Sequence, residues 1–174
     1  MTATGGDVAT LPGLVGHEIV SPWVEVTQQA IDQFAVVTGD RQWIHIDPER
    51  ARRESPYGGT VAHGFFTLAL VSSLVSSALG PVTGARLSVN YGLNKVRFPA
   101  AVPSGSRVRG RMTLRRVDAV EGGVQATWAV LVEREGGPDP EGEPDRDAVT
   151  GAGHDSAGLV FVQPEDTNDC GGGL

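Results

Sequence analysis

Asp40 and His45 lie five positions apart, directly after Gly39, and together they make an acid/base pair. A carboxylate beside an imidazole can take a proton from water and pass it on, and burial pushes the two pKa values apart. The same spacing also suits a turn aspartate and a hydrogen-bonded histidine with no chemistry to do. His63-Gly64 opens a long apolar run. A glycine at a helix N-terminus presents a bare backbone N–H with the dipole behind it, a place for an oxyanion or a polarised carbonyl. The competing reading is that Gly64 only permits close helix packing. A third feature is charge: from Arg86 to Arg116 there are eight basic residues and no acidic one. Arg107, Arg109, Arg111 and Arg115 fall on one face of a strand, where arginine can grip a phosphate bidentately or simply face solvent. Ser72, Ser73, Ser76 and Ser77 lack the setting of a nucleophile and read as helix packing residues.

These groups need elements to hold them. Glu18 to Val26 reads as extended chain. Thr27 can cap a helix through Ala30, Ile31, Phe34, Ala35 and Thr38, which Gly39 stops. A loop is expected from Asp40 to Ile46, then a short helix opened by Asp47-Pro48-Glu49. Phe65 to Leu79 carries apolar residues on most faces, which predicts a helix buried all round over Gly64 to Leu79, ended by Gly80-Pro81. The wrapper follows. Val108, Gly110, Met112 and Leu114 alternate with arginines and Thr113, and Val124 to Val132 alternates likewise, so both read as half-buried antiparallel strands. Arg86 to Phe98 is strand-like with a bulge at Gly92, and Ser156 to Val162 supplies a last strand. Helices followed by a meander of strands make an α+β chain.

The 174 residues suit one domain with a real core. The net charge of −7 is uneven: residues 133–174 hold eleven Asp/Glu against two Arg, and residues 1–132 hold ten Asp/Glu against twelve Arg/Lys. An acidic chain is a poor binder of nucleic acid or of an anionic membrane surface. The one cysteine, Cys170, leaves no internal disulfide and no cysteine metal site. The first sixteen residues have no basic and apolar regions of a secretory signal, and Phe65 to Leu79 is too short to span a bilayer. A cytoplasmic setting is therefore expected. The domain is placed at residues 14–163, with flexible tails at 1–13 and 164–174. The Gly-, Pro- and acid-rich stretch at 135–155 is expected to be a disordered insertion.

Three motifs in order, Gly39-Asp40-x4-His45-x-Asp47-Pro48, Ala62-His63-Gly64-Phe65 and Asn90-Tyr91-Gly92-Leu93-Asn94-Lys95-Val96-Arg97-Phe98-Pro99, resemble the MaoC-like (R)-specific enoyl-CoA hydratases. Within that family the likeness is to the nodulation-protein-N-like subgroup, over roughly Leu14 to Arg134 and again at Ser156 to Val162. The resemblance implies a hotdog fold, a curved antiparallel sheet wrapped around one long helix, in a homodimer with two sites near the interface. It implies that Asp40 and His45 hold and activate a water. That water adds to C3 of a trans-2-enoyl thioester while a proton goes to C2, and the Gly64 N–H receives the thioester carbonyl. Substrate would arrive on CoA or an acyl-carrier phosphopantetheine, with no metal or redox cofactor. His63, Gln42, Ser72 and Arg97 are expected beside Gly64 on the substrate side. Gln42 would replace a family Asn that fixes the loop, and Ser72 falls where a family serine touches the catalytic histidine. The other readings are a dehydratase or cyclase of specialised metabolism acting on a carrier-bound intermediate, and a non-catalytic hotdog partner subunit. A thioesterase is possible on the same fold.

Overall fold

The computed structural model describes residues 7–137 and the backbone of residues 157–162. Four helices precede the main strands: α1 (Gln28–Thr38), α2 (Trp43–Ile46), α3 (Pro48–Glu54) and α4 (Gly64–Leu79). Their ends follow from local chemistry. Thr27 Oγ1 accepts the Ala30 N–H at 3.2 Å, satisfying a free donor of the first turn of α1. Gly39 closes that helix at φ +79°, a conformation that a residue with a Cβ adopts at a cost. Asp47 caps α3 by accepting the Arg50 N–H at 2.9 Å, with Pro48 in the first turn. The expected loop from Asp40 to Ile46 contains one helical turn, α2, and that turn carries His45.

The strands are β1 (Glu18–Val20), β2 (Val24–Val26), β3 (Leu87–Leu93), β4 (Ser106–Val120), β5 (Gly123–Arg134) and β6 (Ala157–Val162). They form one antiparallel sheet in the order β1-β4-β5-β6-β3, with β2 also paired to β4. Gly122, at φ +73°, turns β4 into β5. The register of β3 shifts between Asn90 and Gly92, where the sequence predicts a bulge. β4 shifts between Leu114 and Arg116. In consequence Arg115 and Arg116 are both exposed and the strict alternation ends there.

The core lies between α4 and one face of the sheet. Val71, Leu74, Val75 and Ala78 of α4 join Val108, Met112, Leu114, Trp128 and Val130 in one buried cluster. Each large apolar side chain so buried contributes roughly 1.5–3 kcal/mol. A Cβ at Gly110 would lie 3.2 Å from Leu74 Cβ, so the missing side chain lets α4 rest directly on β4. Among the described residues no helix is long and apolar enough to cross a membrane.

Three expectations are corrected. The flexible tail does not extend to residue 13, because Val8–Leu14 is a 3-10 helix capped by Asp7, with Val8 and Leu11 in the core. Gly and Thr content suggests looseness, but two apolar residues three apart find a place under the sheet. Next, α4 is not covered on every face: Phe65, Ala69, Ser73, Ser76 and Ser77 form an exposed stripe. Finally, three of the four arginines on that strand face, Arg107, Arg109 and Arg111, have carboxylate partners. Arg109 faces Glu133 directly across β4–β5 and pairs with it. Arg107 pairs with Glu135 at 3.0 Å, Arg111 with Glu18 at 3.0 Å and Arg116 with Asp118 at 2.6 Å. Arg109 and Arg107 also lie over the Trp23 ring. The stretch without acids is acid-free only along the chain; carboxylates from β1, β5, the turn after β5 and the far end of β4 reach it. Of the expected insertion, Glu135 to Gly137 is a turn and the remainder lies outside the described residues, as do residues 164–174.

Candidate active site

The left-handed turn at Gly39 ends α1 and directs Asp40 into the α1–α2 connection. Asp40 is exposed, its N–H meets Thr38 Oγ1 at 3.4 Å, and its Oδ1 accepts the Gln42 N–H at 3.4 Å. That turn starts α2, whose single turn carries His45 back toward Asp40. His45 is 7% exposed, and its Nδ1 lies 2.6 Å from the Val61 carbonyl. A carbonyl only accepts, so Nδ1 carries the hydrogen and Nε2 holds the lone pair. Burial, first of all, lowers the His45 pKa below its ordinary value; the Val61 carbonyl and Asp40 oppose this and His63 adds to it. His45 is thus held as a neutral base.

His63 caps the start of α4 and is 3% exposed. Its ring stacks on His45 at 3.7 Å between centroids and tilts against Phe34 at 5.1 Å. His63 Nε2 donates to the Asp40 carbonyl at 2.9 Å. The ring expected on the substrate side is thus enclosed by the site's own residues, Phe34, Asp40 and His45.

Asp40, His45 and His63 each offer a ligand atom within 4.8 Å of the others, the one cluster of metal-binding type found among the described residues. Its geometry suits a metal poorly. The two rings are inclined by only 28° and separated by 3.7 Å. Lone pairs in such planes do not converge within a metal–nitrogen bond of about 2.0 Å. A proton or a water shared by Asp40 and His45 fits the spacing better.

Gly64 is the first residue of α4, so its N–H has no intrahelical acceptor. It also has a packing reason to be glycine. A Cβ there would stand 2.9 Å from Phe98 Cγ, 3.0 Å from Cδ2 and 3.1 Å from Cδ1. Phe65 meets the same ring at 5.7 Å. The two readings of Gly64 are therefore compatible, and the third motif contacts the second through Phe98.

The remaining expected residues lie further out. Gln42 is exposed and its side chain makes no capping bond; its backbone shapes the loop by accepting the His45 N–H at 2.9 Å. Ser72 stands eight residues beyond Gly64, about 12 Å along the helix. Its hydroxyl donates to Asn90 Oδ1 at 3.0 Å instead of to His45. Both line a cavity of about 650 Å³ between α4 and β3. Arg97 is exposed, with its guanidinium on the Val96 carbonyl. One contributor is missing from the sequence reading. Gln28 Nε2 donates to the His45 carbonyl at 2.7 Å, while its Oε1 accepts the Thr60 hydroxyl at 2.5 Å. A glutamine in the first turn of a helix carries no local signal of that reach, since its partners are 17 and 32 residues away.

Residues 12–135 match the family model described as "MaoC like domain". The chain is 51% identical over 135 residues to 3-hydroxyacyl-thioester dehydratase Z of Mycobacterium tuberculosis, covering 76% of this chain and 88% of that protein. It is 48% identical over 108 residues to nodulation protein N of Rhizobium leguminosarum, covering 62% and 67% respectively. Among solved structures it superposes on the R-hydratase PhaJ1 of Pseudomonas aeruginosa with a TM-score of 0.62 at 20% identity, over 87% of this chain and 83% of that one. The long helix against one antiparallel sheet is that hotdog fold. With the family model spanning both the acid/base loop and the start of α4, the chain belongs to the MaoC-like domain family.

Proposed function

We propose that this protein interconverts trans-2-enoyl and (R)-3-hydroxyacyl thioesters by adding or removing water. The observation that carries the reading is the placement of the Asp40 carboxylate and the neutral His45 imidazole within 4.8 Å of one another, in a domain whose relative at 51% identity is named a 3-hydroxyacyl-thioester dehydratase.

In the hydration direction, Asp40 and the His45 Nε2 lone pair hold one water between them. As its oxygen bonds to C3, one water proton passes to the pair and the C2–C3 π electrons move toward the carbonyl. The Gly64 N–H, backed by the dipole of α4, donates to that oxygen as its negative charge grows. A proton from the pair then goes to C2, so hydroxyl and hydrogen are both accounted for and the residues return to their starting state. Dehydration runs the same steps backwards. There is no net oxidation or reduction, and we assign the chemistry to these side chains and the backbone N–H, without a metal or redox cofactor.

The substrate handle in this reading is CoA or a phosphopantetheine arm, with Arg97 as the candidate phosphate contact. Arg107, Arg109 and Arg111 of β4 lose that role because they are paired. We further propose a homodimer. Its support is the exposed apolar set Leu87, Val89, Tyr91 and Leu93 on β3, together with Phe65. A single cysteine accords with a cytoplasmic, reducing setting.

The test is crotonyl-CoA hydration by wild type and by Asp40→Asn, read by loss of enoyl absorbance and by the mass gain of one water. A positioned acid/base group contributes about 10²–10⁴-fold, so the amide variant should lose that much in kcat. Wild-type turnover in the variant would sink the assignment.

A further inference from the structure

We propose that His63 is a positioning residue that locks the Asp40 loop and the His45 ring into one geometry, by donating Nε2–H to the Asp40 carbonyl and stacking on the His45 imidazole. The inference rests on the hydration reading for its kinetic arm, and on geometry alone for its structural arm.

The donor is fixed by its partner. The Asp40 carbonyl can only accept, so His63 Nε2 holds a hydrogen and a neutral ring leaves Nδ1 as a bare lone pair. That Nδ1 is buried and has no hydrogen-bond partner among the described residues. An idle, costly polar atom at 3% exposure calls for a reason. The reason offered by the contacts is reach. From the cap of α4, this one ring touches Phe34 of α1, the Asp40 carbonyl in the connecting loop and His45 of α2. No aliphatic side chain could supply both the stacking face and the N–H. The titratable groups acting on His45 are Asp40 from the loop and His63 from the cap of α4, and His63 contacts both Asp40 and His45.

Two variants separate the parts. His63→Phe keeps the ring and removes the donor; His63→Gln keeps an N–H and removes the aromatic face. Crotonyl-CoA kinetics, thermal unfolding and amide hydrogen exchange over residues 40–46 are measured on the full chain. For His63→Phe, kcat should fall about 10- to 100-fold with KM within about threefold, because a misplaced base loses transition-state contacts and not substrate binding. Exchange over residues 40–46 should quicken, and His63→Gln should recover part of both effects. A rise in KM at unchanged kcat would make His63 a substrate contact and overturn the proposal. So would unaltered exchange in His63→Phe, or equal losses in both variants that merely follow a lowered Tm. If wild type hydrates no enoyl thioester, the reaction reading fails, and the exchange arm still decides the tether.

Discussion

Replacing Gly64 by Ala adds one methyl group at a place the structure defines closely. The new Cβ would stand 2.9, 3.0 and 3.1 Å from Phe98 Cγ, Cδ2 and Cδ1, where ordinary contact begins at 3.4 Å. The ring must therefore withdraw by roughly half an ångström, and a Cγ so near its own backbone cannot swing aside as a chain end would. Overpacking of this kind costs about 1–3 kcal/mol. Phe98 is 39% exposed, which places the cost at the lower end and lets the fold survive. The alternative is that α4 itself gives way and carries the Gly64 N–H off the position proposed for the thioester carbonyl. Displacement of about an ångström costs on the order of 10²-fold, so a shift half as large should lower kcat/KM about tenfold although the N–H is still present. The assay is crotonyl-CoA hydration with thermal unfolding, run on G64A, F98A and the double variant. In the F98A background there is no ring to strike, so the glycine-to-alanine step should cost less than about threefold. An undiminished G64A enzyme, or an equal loss in both backgrounds, would refute the collision as the reason for glycine.

Three further outcomes are expected. Leu11→Ala should destabilise by about 2–5 kcal/mol in urea unfolding, since Leu11 is 1% exposed in the core; a change under about 0.5 kcal/mol would restore residues 7–13 to a tail. The lowered His45 pKa means that the unfolded chain binds this proton first as pH falls. Stability from keeping His45 neutral is then present above about pH 6.5 and is lost from there down through the folded pKa, and the acidic limb of kcat should fall below that pH as well. An acidic limb above pH 6.5 would contradict the assignment of base and burial. Gln28→Glu keeps the shape and the acceptor for Thr60 but cannot donate to the His45 carbonyl, and it faces Asp32 as a like charge. A loss of about 1–3 kcal/mol and a reduced kcat are expected, checked by unfolding and turnover.

Local rules made much of this molecule legible. The cap at Thr27, the stop at Gly39, the Asp47-Pro48 start and the period-2 pattern of β4 are decided within a few residues, and each appears where the sequence places it. So does the bulge near Gly92. The misses share a cause: they depend on partners far along the chain. Leu11 reads as tail until α4 and the sheet offer it a cavity. The β4 arginines read as free until β5 and β1 bring Glu133 and Glu18 alongside. Asp40, His45 and Gly64 are named by their motifs, and the folded chain brings the Asp40 and His45 side chains together. Ser72 and Gln42 are not drawn into that cluster, because one is engaged with Asn90 and the other shapes its loop through the backbone.

Both histidine tautomers are set by main-chain carbonyls, Val61 for His45 and Asp40 for His63. A carbonyl belongs to every residue type, so substitution at position 61 or 40 leaves the acceptor in place wherever the backbone path is kept. The direction in which protons are offered is thus encoded in the trace of the chain, and the side chains at those positions are free to change without reversing it. This divides Asp40 into two separable parts, a carboxylate that meets water and a peptide oxygen that steadies His63. Exchanging the first for an amide leaves the second untouched.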